Sequence, residues 1–122
     1  MSKLVILCCL IFSTHTMAKN MSMDLPGFID GKVLIIKSKH PSPAFNGELQ
    51  PAIALDEEYV FDNRARTKLI QVLSNDNKLY DKLLNSNGKK VQVSCNEFFR
   101  AETAHHTTKI LCSTDRVIFK NF

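Results

Sequence analysis

The sequence predicts a mainly β (α+β) fold: a small five-stranded, OB-like and partly open barrel with one helix between strands 3 and 4. Most of the chain from residue 27 onward consists of short runs rich in β-branched and apolar residues, separated by turn-forming residues. One segment alone has apolar residues at helical spacing, and it follows the third of these runs. The competing architecture is a two-layer α+β sheet with one helix.

The first three strands are predicted from the β-rich runs at residues 28–38, 52–55 and 68–73. Gly31 in the first run indicates a bend or a bulge, because a glycine in a strand has no side chain to pack. Residues 40–47 contain two prolines and a glycine and are expected to form a loop. The acidic residues 56–58 interrupt the second run as a solvated turn, and residues 59–61 continue that strand or form a separate edge piece.

A helix is predicted over residues 76–86, because apolar side chains recur there on one helical face: Leu79, Tyr80, Leu83 and Leu84. Ser74 and Asn75 are the candidate N-terminal caps, with Asp76 in the first turn, and Gly88 is the expected left-handed stop. The remaining strands are expected in the later β-rich runs, at residues 90–99, 108–112 and 117–119.

The N-terminal residues have the layout of a secretory signal, with Lys3 followed by nine apolar residues and a polar end with small side chains. The expected organisation is a signal peptide at residues 1–18, a flexible N-terminal arm at 19–26 and a single OB-like domain at 27–122. The apolar run is too short to cross a bilayer. We therefore expect a periplasmic or secreted protein that is not inserted into a membrane.

The charge balance is mildly basic, with 16 lysines and arginines against 12 aspartates and glutamates, a net charge of +4. Removing Lys3 with the signal peptide leaves a net charge of 15 − 12 = +3. This is well below the charge density of proteins that bind nucleic acid, so no nucleic-acid partner is expected.

Two of the four cysteines, Cys95 and Cys112, lie beyond the predicted signal peptide. In an oxidising compartment they are predicted to form one disulfide. If they lie opposite each other on neighbouring antiparallel strands, the turn between the strands centres on residues 103–104. A bulge at Glu97 would shift this register by one residue.

Hydroxyl and imidazole side chains are concentrated at residues 103–108, the tip of this predicted hairpin. One interpretation is that local hydrogen bonds hold the turn together, and another is that the tip contacts a ligand or a partner protein. A metal site would also need His40 and a carboxylate such as Glu102, and we expect no metal and no other cofactor. Of the neighbouring pair Phe98 and Phe99, one side chain is expected in the core and the other over the barrel end. The candidate binding residues are Phe99, Thr103, His105, His106 and Thr107.

A resemblance to a known family is carried by two segments, Gly88-Lys89-Lys90-Val91-Gln92-Val93 and the run of residues 99–111 that contains the paired histidines. They resemble the C-terminal block of a family of small exported bacterial proteins known as domain of unknown function 4431. Shorter similarities earlier in the chain fall in the expected order. Three positions depart from the family pattern. Glu97 stands as an insertion, Thr107 replaces a third histidine, and Lys109 replaces a proline. The family has no established activity, so the resemblance implies none.

The sequence contains none of the common catalytic motifs, so no catalytic residues and no enzymatic activity are expected. The predicted function is that of an exported binding protein, which engages a protein or a small polar ligand through the surface around His105 and His106. More specific alternatives are an immunity or inhibitor protein and the binding subunit of a secreted toxin. A metal-dependent hydrolase and a structural envelope component are the remaining alternatives.

Overall fold

The computed structural model describes residues 18–120, so the predicted signal peptide lies outside the described residues except for its last position. This part of the chain forms six strands and one helix. In chain order they are β1 (Lys19–Met21), β2 (Gly27–Lys37), β3 (Leu49–Phe61), β4 (Ala65–Leu73), α1 (Asn77–Leu84), β5 (Lys90–Arg100) and β6 (Ile110–Phe119).

Strands β2 to β6 form a closed five-stranded barrel. Strand β2 lies between β3 and β5, and β3 also pairs with β4. All these pairs are antiparallel, as is β5 with β6, whereas β4 and β6 are parallel and complete the ring. The helix lies between the third and fourth barrel strands, which is the OB-fold order. The predicted OB-like barrel is therefore confirmed, and its strand ladder is closed rather than partly open.

The first segment of the predicted irregular arm is a strand. Lys19–Met21 pairs in parallel with the end of β3, and the Asp62 N–H donates a hydrogen bond to the Met21 carbonyl at 3.0 Å. Met21 and Met23 pack against the barrel core. Burial of the two methionine side chains stabilises this segment, although its mostly polar composition did not indicate a strand.

Helix α1 is shorter than predicted and begins after a different cap. Asp76 is the N-cap, and its carboxylate accepts hydrogen bonds from the backbone N–H groups of Lys78 and Leu79. Leu83 is fully buried in the barrel core, and Leu79 packs against the same core. The apolar face predicted from the sequence is thus the face that packs on the barrel.

Strand β3 continues through the acidic residues that were expected to form a turn. Its pairing with β4 shifts register between Ala54 and Tyr59, which marks a bulge at this position. Because of the bulge, Asp56, Glu57 and Glu58 lie within the strand, and buried residues follow them. Tyr59 accepts a hydrogen bond from the Asp30 N–H at 3.2 Å. Burial raises the pKa of the Tyr59 phenol, and nearby carboxylates add to this increase, whereas the Asp30 hydrogen bond opposes it.

Gly31 lies where strand β2 pairs with both of its neighbours, opposite Leu55 on β3 and Val91 on β5. A Cβ atom at this position would overlap the carbonyl oxygen of Ala54, and it would lie 2.8 Å from a methyl group of Ile53. The glycine that suggested a bend in the sequence therefore permits a close approach between two backbones.

The register of the β5–β6 hairpin differs from the predicted one. Cys95 lies opposite Thr114 and Cys112 lies opposite Phe98, so the two cysteines are not direct partners. The register shifts at Asn96, close to the predicted bulge, and a second time further along β6. The last pair of the hairpin is Arg100 with Ile110, and the connection is a loop of residues 101–109 rather than a tight turn at 103–104.

The predicted disulfide between Cys95 and Cys112 is present in the structure, with their Cα atoms 5.4 Å apart. Both cysteines belong to the buried barrel core. Each is displaced from direct pairing, but both side chains point to the interior, where they meet diagonally. Among residues 18–120, no helix is long and apolar enough to cross a membrane.

Candidate functional site

Two loops contact each other on the surface of the barrel. The first joins β2 to β3 at residues 38–48, and the second joins β5 to β6 at residues 101–109. Three rings lie together where the loops touch, with centroid separations of 4.5 Å for His40–His105, 5.0 Å for Phe45–His105 and 5.1 Å for His40–Phe45. His40 is half-buried and the other two are exposed. We call these three residues the ring cluster.

Two buried glutamines hold the backbone of the second loop. Gln50 on β3 and Gln71 on β4 each donate a side-chain hydrogen bond to the His105 carbonyl, at 2.8 and 3.2 Å. Their amide oxygens accept from Thr107. The Gln71 side-chain oxygen accepts a hydrogen bond from the Thr107 backbone N–H at 2.6 Å, and the Gln50 side-chain oxygen accepts one from the Thr107 hydroxyl at 2.6 Å. Thr108 adds a further bond by accepting from the Gln71 N–H at 2.9 Å. Because buried polar groups are costly unless paired, this network fixes the loop in one position.

These glutamines belong to a buried layer outside the barrel core. Along β3 and β6, Gln50, Ala52 and Leu111 alternate with interior residues such as Ile53 and Cys112, so they face outward. They are nevertheless at most 3% exposed. The loop of residues 101–109 is hydrogen-bonded to this outer face and covers part of it, so it does not simply project from the barrel end.

His106 has an internal role. Its Nδ1 atom accepts hydrogen bonds from the backbone N–H groups of Glu102 and Thr103, at 2.9 and 3.3 Å. Its own N–H donates to the Thr103 carbonyl at 3.0 Å. The ring lies 5.5 Å from that of Phe99, edge to face. His106 therefore closes a local turn, as the first interpretation of the sequence expected.

His105 differs from His106, because its hydrogen bonds within residues 18–120 are formed by its backbone and not by its ring. Its carbonyl accepts the two glutamine bonds, and its N–H donates to the Thr103 hydroxyl at 3.2 Å. Within residues 18–120, no hydrogen bond uses either nitrogen of its imidazole. The backbone of this residue is thus fixed, whereas both nitrogen atoms of its side chain have no hydrogen-bond partner among residues 18–120.

The first loop is ordered by its own hydrogen bonds. His40 Nδ1 accepts from the Ser42 N–H at 2.9 Å, and the Asn46 side chain donates to the His40 carbonyl at 3.0 Å. Gly47 has a positive φ of 84°, which lets the chain turn back towards β3. These bonds leave Nε2 of His40 without a partner among the described residues, next to the His105 ring.

The candidate residues from the sequence separate into two groups. Thr103, His106, Thr107 and Phe99 are bonded or packed within the protein, as described above, whereas the His105 ring is exposed and unbonded. Sequence reasoning missed the two glutamines, since nothing in the chain marks Gln50 or Gln71 as buried. Phe98, by contrast, is 3% exposed and packs against the Phe61 ring in the core.

Replacing Gln71 by leucine tests the anchoring network. The change removes a donor to the His105 carbonyl and leaves the Thr107 N–H without its acceptor, so the free energy of unfolding should fall by about 2 kcal/mol. Amide hydrogen exchange in residues 103–108 should speed up. Gln92→Leu is the matched control, because Gln92 is a half-buried glutamine on the outside of β5. Equal stability changes in the two variants would contradict the anchoring role.

No group of three or more His, Cys, Asp or Glu residues that could hold a metal ion occurs among residues 18–120. His105 and His40 adjoin each other, but Glu102 uses its backbone N–H on His106 and is not part of the ring cluster.

Comparison with known proteins gives one family match. Neither the curated proteins nor the solved structures give a match to this chain. The family described as "Domain of unknown function (DUF4431)" matches residues 69–118. This segment runs from within β4 through α1 and β5 to the penultimate residue of β6, and it includes Gln71 and the whole second loop. The resemblance inferred from the sequence is therefore confirmed, and residues 69–118 are similar to the domain of unknown function 4431.

Proposed function

We propose that the protein is an exported, non-enzymatic binding protein, and that it engages a protein or a small polar ligand through the ring cluster of His40, Phe45 and His105. The observation that carries this proposal is the contrast within His105, between a backbone held by two buried amides and an imidazole with no internal partner. Rigid backbone under a free polar side chain lowers the entropy lost when a ligand binds.

The position of the ring cluster in the fold supports the proposal. The two loops correspond to those between strands 1 and 2 and between strands 4 and 5 of an OB-fold. These loops commonly carry the ligand-binding residues of such barrels. The paired histidines of the sequence therefore lie where this architecture usually binds other molecules, although only one of them faces outward.

The chemistry of the ring cluster favours a ligand with a flat apolar face and polar edges. Phe45 is 42% exposed and offers ring surface, while the imidazoles of His40 and His105 offer nitrogen atoms beside it. The centroids of the three rings are 4.5 to 5.1 Å apart. Together the rings form a surface that fits one sugar-sized group or one side chain of a partner protein. Aromatic residues that become buried at the centre of an interface often contribute much of the binding energy.

The test separates the two histidines. The protein is immobilised and exposed to a periplasmic extract, and the proteins and small molecules retained are identified by mass spectrometry. The affinity of the identified ligand is then measured for each variant. His105→Ala and Phe45→Ala should each weaken binding by about tenfold or more, with little change in stability. Phe28→Ala is the matched control, because Phe28 is 50% exposed on strand β2, away from both loops.

His106→Ala should give the reverse pattern. It removes an acceptor shared by two backbone N–H groups, so the free energy of unfolding should fall by about 1 kcal/mol while the ring cluster keeps its side chains. Undiminished affinity in a folded His105→Ala, Phe45→Ala double variant would refute the proposed function.

A further inference from the structure

A cavity of about 460 Å³ lies beside the start of helix α1, where strands β4 and β6 separate. The parallel pairing of these strands ends with Leu73 opposite Ser113, after which β4 leads into α1 and β6 continues. Both residues line the cavity, together with Ser74, Asn75, Asn77 and Tyr80. Phe119, the last residue of β6, is about 20 Å further along the strand, so the end of that strand is remote from the cavity. We call this space the β4–α1 cavity.

The fold makes little use of the polar side chains in this cavity. Ser74 and Asn75 were the helix caps expected from the sequence, but Asp76 takes that position. The Ser74 hydroxyl accepts a hydrogen bond from the Asp76 N–H at 3.1 Å. Within the described part of the chain, the side chains of Asn75, Asn77 and Ser113 form no hydrogen bond. Two amides and one hydroxyl at the cavity are thus without a partner among residues 18–120.

Tyr80 supplies an aromatic surface beside these polar groups. It follows Asn77 by three residues, so the two side chains lie on the same face of α1. The Tyr80 side chain is half-buried, as is that of Leu73. Burial raises the pKa of the Tyr80 phenol, and the carboxylate of Glu48 adds to this increase. The phenol is therefore neutral at physiological pH and both donates and accepts hydrogen bonds.

The electrostatic character of the β4–α1 cavity favours an uncharged ligand. None of its lining residues carries a charged side chain. The carboxylate of Asp76 accepts hydrogen bonds from the N–H groups of Lys78 and Leu79, so the start of the helix is already occupied by a negative charge. An anion that approached the start of α1 would meet this charge, and no lining residue offers a cation the opposite charge.

We propose that the β4–α1 cavity binds a neutral saccharide. Its volume lies in the range typical of small-molecule sites. Each sugar hydroxyl both donates and accepts hydrogen bonds, and the amides and hydroxyls of the lining have the same double capacity. Tyr80 and Leu73 offer apolar surface for the C–H face of a sugar ring. The cavity shares no residue with the ring cluster, and the proposal does not depend on the function proposed for that cluster.

The test begins with the purified protein on an array of neutral and acidic saccharides, and calorimetry then measures the affinity for the saccharide that binds best. Asn75→Ala with Asn77→Ala should bind this saccharide about tenfold more weakly, and Ser113→Ala on the opposite wall about fivefold. The matched control is Asn20→Ala with Asn96→Ala, which removes two exposed amides outside the cavity. Melting temperatures should be similar in all four proteins.

A further variant, Phe45→Ala with His105→Ala, separates this site from the ring cluster and should bind the saccharide as tightly as the unmodified protein. Similar affinities for the free monosaccharide and for a longer chain assign the cavity to a free sugar, whereas a requirement for the longer chain assigns it to a glycan. The proposal is overturned if the protein binds no saccharide or only acidic ones. It is also overturned if the cavity variants keep their affinity, or if the control or the ring-cluster variant loses as much.

Discussion

Gly31→Ala should destabilise the protein by about 3 kcal/mol, at the upper end of what one added methyl group costs in a packed interior. The new Cβ would overlap the Ala54 carbonyl oxygen, which belongs to the backbone of β3 and cannot move without breaking the β2–β3 ladder. Chemical denaturation followed by far-UV circular dichroism measures the loss.

Gly27→Ala is the control for this prediction. Gly27 lies in the same strand, but a Cβ there would meet only the terminal methyl of Met21, at 2.8 Å, and the Phe98 ring beyond it. A flexible methionine tip can move aside, so the expected loss is below about 1 kcal/mol. Similar losses in the two alanine variants would show that the close approach of β2 and β3 is not the cause.

Breaking the disulfide should cost about 3 kcal/mol, because the bond between Cys95 and Cys112 spans 17 residues and restricts the unfolded chain. That is a large share of the roughly 5 to 10 kcal/mol typical of a small domain. The disulfide encloses the loop that carries His105. Reduction should therefore also increase the mobility of His105 within the ring cluster.

Reduction of the unmodified protein is preferred to replacement by alanine for this measurement. Both cysteines are buried, so alanine would add the cost of a cavity to that of the lost bond. The melting temperature should fall clearly on adding a reductant. Peptide mapping without reductant should find the Cys95 peptide joined to the Cys112 peptide. Separate peptides with free thiols would contradict the bond.

Local sequence patterns predicted the architecture because each strand and the helix carry their own periodicity. The order of three strands, one helix and two strands favoured an OB-like barrel over a two-layer sheet, and the apolar face of α1 was recognised from residues such as Leu83. The register between paired strands was harder to predict from the sequence. Two irregularities in the β5–β6 pair displace Cys95 from Cys112. A bulge in β3 allows acidic residues to lie within a strand. Bulges depend on packing between strands, which a single sequence does not display.

The candidate site was predicted in part for the same reason. The paired histidines indicated the right loop, but adjacent residues in the sequence have different roles in the structure. His106 bonds to its own turn, while His105 meets His40 and Phe45 from a loop more than fifty residues earlier. The anchoring amides of Gln50 and Gln71 come from strands β3 and β4. Such long-range contacts follow from barrel closure rather than from local patterns.

The most direct test of the binding site is to map where the identified ligand contacts the protein. Two-dimensional nuclear magnetic resonance spectra of the labelled protein, recorded during titration with that ligand, report each backbone amide separately. The account predicts that the largest shifts occur in residues 40–47 and 103–107, the two segments that carry the ring cluster. Shifts confined to other parts of the barrel, with the signals of Phe45 and His105 unchanged, would contradict it.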